Sequence, residues 1–157
     1  MPAVPLVLLL VCSWSPAGGL AAERPPGLVV LEERPSAEGL RVLGVYRRTQ
    51  DADSPDLWRV RLWRQVGANV AIQTDTVDCN PSSPRWVTTD SGRTRLRSLN
   101  PGGQITPANR VDHLVWWAVC HPEQAGRDPA QLNAVARQLG YSTTLPETEQ
   151  VLPGRPR

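Results

Sequence analysis

Residues 111 to 123, VDHLVWWAVCHPE, place Cys120, His113, His121 and two adjacent tryptophans in one short stretch. A cysteine near a histidine is the raw material of a thiolate nucleophile, which needs a free, partly exposed thiol poised against its base. On a helix, adjacent residues point about 100° apart, so Cys120 and His121 would not face each other. A zinc site from Cys79, His113, Cys120 and His121 lacks the closely paired ligand spacing that marks such sites. Oxidation of the cysteine is the remaining fate.

The start of the chain bears on that choice. Val4 to Val11 is an apolar run broken only by Pro5, and a small-residue stretch follows it. Gly19 and Ala21 supply small side chains at −3 and −1 for cleavage after Ala21, the layout of a secretory signal. The run is too short and too rich in Pro and Gly to span a membrane. Cys12 as a lipidated N-terminus would want a small residue before it, and Val11 stands there. With residues 1–21 read as a signal peptide, Cys79 and Cys120 remain, and an even count in an oxidising compartment predicts a disulfide. Trp116 and Trp117 then read as packing around it. A small hydrolase using Cys120 is the alternative if the thiol is free.

The second chemical feature is arginine. All 17 basic side chains are arginine and none is lysine. Arg59 and Arg61 recur with period two, as do Arg93, Arg95 and Arg97, so each set lines one face of a strand. If the two strands lie near each other, a basic stripe results, with Trp63 at its edge. Such a stripe suits an acidic polysaccharide or an acidic loop of an extracellular or envelope protein. A formal charge of +2 is too small to imply nucleic acid. No phosphate-cradling glycine loop, H-E-x-x-H or G-x-S-x-G occurs, and no catalytic residue, metal or cofactor is assigned.

These residues must be held by some scaffold. Residues 22–39 read as a proline-rich leader that contributes at most a first strand. Strands are expected at 40–48, 56–66, 70–79, 85–90 and 93–99, with the second and third forming a hairpin. Between 56 and 66 the alternation sends Trp58, Val60 and Leu62 to the core, and Arg59, Arg61 and Trp63 outward. After the breaker at 100–103, Thr106 and Pro107 start a helix that Pro122 stops, although a strand remains an alternative there. DPAQLNAVARQLGY (128–141) has a capping Asp128, Pro129 next, an apolar stripe and a closing Gly140. Residues 142–157 read as a disordered tail. The fold class is α+β: one domain over 40–141, an antiparallel sheet of about five strands with one or two helices on one face, and one disulfide.

Trp58 and Val60 on one strand, Asp78-Cys79 ending another, Arg85 soon after and Cys120 late in the chain resemble the surface-adhesin protein E-like family of bacterial envelope proteins. The likeness spans about 40 to 120. It implies a small antiparallel sheet with a flanking helix, tied by a disulfide, and, in the best-known members, adhesion to host matrix or serum proteins. The expected function is a non-enzymatic exported binding module of the periplasm or cell surface. The alternative is a periplasmic inhibitor or immunity-type protein.

Overall fold

The computed structural model describes residues 22–153; the expected signal peptide at 1–21 and the last four residues lie outside that range. Seven strands form one antiparallel sheet: β1 (Val29–Ser36), β2 (Gly39–Gln50), β3 (Leu57–Val66), β4 (Asn69–Asp78), β5 (Arg85–Asp90), β6 (Arg93–Ser98) and β7 (Thr148–Pro153). Their spatial order is their sequence order, β1 to β7. All five expected strands are present, with one more at each edge. The β5–β6 hairpin turns on Ser91 and Gly92, both at positive φ (49° and 76°), the backbone that a two-residue turn of matching twist demands.

One sheet face carries the main core. Val45, Val60, Leu62, Val77 and Trp86 pack against α1 (Arg110–Cys120). Every residue of α1 from His113 to Val119 is buried. A helix that is apolar on all sides must be covered on all sides. The sheet covers one side, and residues 122–141 supply Leu132, Ala136 and Tyr141 to the same core. Cys79, just past β4, is bonded to Cys120, the last residue of α1, as expected.

Both expected helix starts need correction. Thr106 does not cap α1; the residue before the helix is Asn109, whose Oδ1 accepts from the Thr106 N–H at 2.7 Å. Asp128 does accept from the Ala130 N–H at 3.2 Å, but only a 3₁₀ turn, Pro129–Gln131, follows. The α-helix proper, α2, is Asn133–Gln138. The break falls at Leu132, which is fully buried, so packing of that side chain overrides a continuous helix.

The expected disordered tail is also corrected, since β7 lies within it. All six β7 residues are exposed, so burial does not hold the strand. Polar anchors do. Thr143 O accepts from Asn100 Nδ2 at 3.0 Å. The Glu147 carboxylate accepts from Asn100 N (3.1 Å) and Asn109 Nδ2 (2.8 Å), and lies 2.6 Å from His113 Nε2. β7 then pairs with β6 from Ser98↔Thr148 to Arg93↔Pro153.

Candidate binding surface

The tryptophan–cysteine–histidine stretch is core and tether. Cys120 sits in the disulfide, so it offers no thiolate to a substrate or a metal. Trp116 Nε1 donates to Asp78 O at 3.0 Å, fixing α1 to the end of β4 beside the disulfide. His121 Nε2 lies 2.8 Å from the Tyr141 hydroxyl, and Trp116 and Tyr141 meet edge to face. Burial lowers the His121 pKa and pushes Tyr141 up to about 12. His113 is fully buried against Glu147 and cannot reach a ligand. Burial alone would raise the Glu147 pKa; the hydrogen bonds from His113 and Asn109 outweigh it and hold the carboxyl below its usual range.

The two arginine sets lie on opposite faces of the sheet. Arg59 pairs with Thr76, Thr76 with Val87, and Val87 with Leu96, so the face that carries Arg59 and Arg61 reaches β6 at Leu96. The other row runs Trp58, Val77, Trp86, Arg97, which puts Arg93, Arg95 and Arg97 on the helix side. Arg97 is half-buried there, donating to Asp112 of α1 at 3.0 Å and to Glu149 of β7 at 2.8 Å, with its guanidinium 5.4 Å from the centre of the Trp86 ring. Arg95 also meets Glu149, at 3.4 Å. Burial raises the Asp112 pKa, and Arg97 opposes that shift. Arg97 is therefore a clamp that joins three elements, not part of an open stripe.

Trp63 needs the same correction. Its place on the outer face is as expected, but it is only 5% exposed. With Val42 and Tyr46 it forms a second small core, covered by Ala22, Leu28 and Val30 of the leader and by Val70. Gly44, directly opposite Trp63 on β2, makes this possible: a Cβ there would lie 2.7 Å from Leu28 Cδ1 and 2.9 Å from Val29 O.

Arg59 and Arg61 remain open to solvent, and a third arginine joins them. The β2–β3 register shifts between Tyr46 and Thr49, and Arg47 sits in that bulge at φ 51°. Arg47, Arg59 and Arg61, all exposed, share one shallow depression with Thr49 and Thr74. The only carboxylate paired with these three among the described residues is Asp51, 3.7 Å from Arg59. The sequence signal for Arg47 is the run Tyr46-Arg47-Arg48, where the alternation of β2 fails.

The residues that carried the family resemblance are structural here. Asp78 and Arg85 are register partners and pair at 3.0 Å, next to the disulfide. No family model matches the chain, and no curated protein or solved structure matches it.

Proposed function

We propose that this chain is a non-enzymatic binding module of the bacterial envelope, exported and related to the surface-adhesin protein E-like proteins. It holds an acidic partner, an extracellular or envelope protein loop or an acidic polysaccharide, on its outer sheet face. The observation that carries this reading is the grouping of Arg47, Arg59 and Arg61 on an exposed surface that one carboxylate at 3.7 Å barely neutralises. A guanidinium presents forked donors suited to carboxylate and sulfate groups, and three together raise the local concentration of an anion. The disulfide supports the exported reading, because such bonds persist in oxidising compartments.

The test is binding of heparin and of polyglutamate to the wild type and to Arg59→Glu/Arg61→Glu at low and moderate salt. The expected outcome is a loss of at least about tenfold in the variant, with wild-type binding weakening as salt rises. A folded variant that keeps wild-type affinity and salt dependence would refute the reading.

A further inference from the structure

A second cluster of arginines lies on the opposite, helix-side face, at the end of the sheet far from the disulfide. Arg34 and Arg41 stand directly across from each other on β1 and β2, and Arg64 lies diagonal to Arg41 on β3. Like charges placed opposite each other in a sheet destabilise it, so their convergence calls for an explanation. Arg34 and Arg41 each share a carboxylate, Glu32 and Glu38 respectively, whereas Arg64 pairs with none among the described residues. All three line an open groove of about 150 Å³. Glu32, which is held by both Arg34 and Arg110, and Gln65 also line it; its apolar part is Leu43 and Val66 from the sheet and Val111, 38% exposed, from the first turn of α1.

We propose that this groove binds a small anionic amphiphile, whose apolar chain lies on Leu43, Val66 and Val111 and whose carboxylate or phosphate head is held by Arg34, Arg41 and Arg64. The apolar wall rewards removal of a hydrocarbon from water, and the guanidinium forks reward an anionic head. A free inorganic anion would leave the apolar part uncovered, and a neutral chain would leave Arg64 unanswered. The site is separate from Arg47, Arg59 and Arg61, since the sheet lies between them.

The test is calorimetric titration of the purified chain with decanoate and decyl phosphate below their micelle-forming concentrations, and with decanol and inorganic phosphate. One saturable site for at least one amphiphile is expected, with decanol and phosphate each at least about tenfold weaker. The preferred head group separates a fatty-acid-like ligand from a phospholipid-like one. Arg41→Glu/Arg64→Glu and, independently, Val111→Asp should each lose at least about tenfold, while Arg59→Glu/Arg61→Glu binds as the wild type does. Arg41→Gln/Arg64→Gln serves as a milder variant, each protein being checked for a cooperative melt. Absence of saturable amphiphile binding by the wild type would overturn the proposal. So would unchanged affinity in the folded groove variants, or a loss shared equally with the Arg59/Arg61 variant.

Discussion

Strands β3 and β6 carry the same motif, arginine at every second position, and the fold uses it in two different ways. On β3, Arg59 and Arg61 face solvent and stay available. On β6, Arg97 is folded under α1 and β7 and satisfied by two carboxylates. A period-two pattern fixes which residues share a face but not which face they share. Here the register carried through β4 and β5 decides it, and a slip of one residue would exchange the two outcomes.

That comparison breaks most readily at the disulfide, because the helix side depends on α1 staying in place and the outer face does not. Cys79→Ser/Cys120→Ser, which opens a 41-residue separation, should reduce unfolding free energy by about 4 kcal/mol in urea denaturation. Heparin binding by the still-folded fraction should be retained. Wild-type stability in the variant would mean that Trp116 Nε1 and the core alone hold α1 down.

Asp75 sharpens the comparison by pH. It is buried on the helix side, with Oδ2 accepting from Trp86 Nε1 at 3.0 Å and Oδ1 without a partner among the described residues. Burial raises its pKa from 3.8 to about 6, against the opposing effects of Trp86 and Arg64. Because the folded value is the higher one, the protonated form stabilises the fold; that contribution is full below pH 3.8 and is lost as pH rises through 6. Asp75→Asn should therefore be more stable than the wild type at pH 8 by about 3 kcal/mol, and indistinguishable from it near pH 3. Equal stability at both pH values would place the carboxylate in water.

Arginine truncation compares the two strands directly. Arg97→Ala leaves Asp112 buried without its partner and should cost about 2 kcal/mol, while Arg61→Ala should change stability by less than about 0.5 kcal/mol. Thermal melts of the two variants side by side test this, and similar losses would mean that Arg61 is also structural. Between these in size is Gly44→Ala, whose added methyl meets Val29 O as well as Leu28. It should lift the leader off Trp63, cost about 1 kcal/mol and shift tryptophan emission to the red.

The five central strands were legible in the sequence because Val60, Leu62 and Val77 alternate with polar neighbours and Gly or Pro clusters separate the runs. The disulfide followed from cysteine count. Three features were not legible, each because a distant segment decides them. Trp63 alternates like an outward residue, and it is chiefly the leader, Ala22, Leu28 and Val30, more than thirty positions earlier, that turns that face into core. β7 has no strong strand composition, and its place depends on Glu147 meeting Asn100, Asn109 and His113. Asp128 and Pro129 are sound helix-start signals, yet the buried Leu132 stops the turn they begin.

The sequential strand order also governs how the chain can fold. Every pairing in the sheet joins strands adjacent in sequence; β1 to β6 are linked by short turns, so each hairpin closes a small loop at little entropic cost. Such local pairing should let the sheet grow outward from β2–β3–β4, the longest strands, on a fast timescale for a β-rich chain. Two steps need distant partners: seating of α1, which brings Cys120 to Cys79, and docking of β7 beside β6 across the whole of residues 99–147. The slow phase of refolding should therefore report those two closures, while the hairpins form ahead of it.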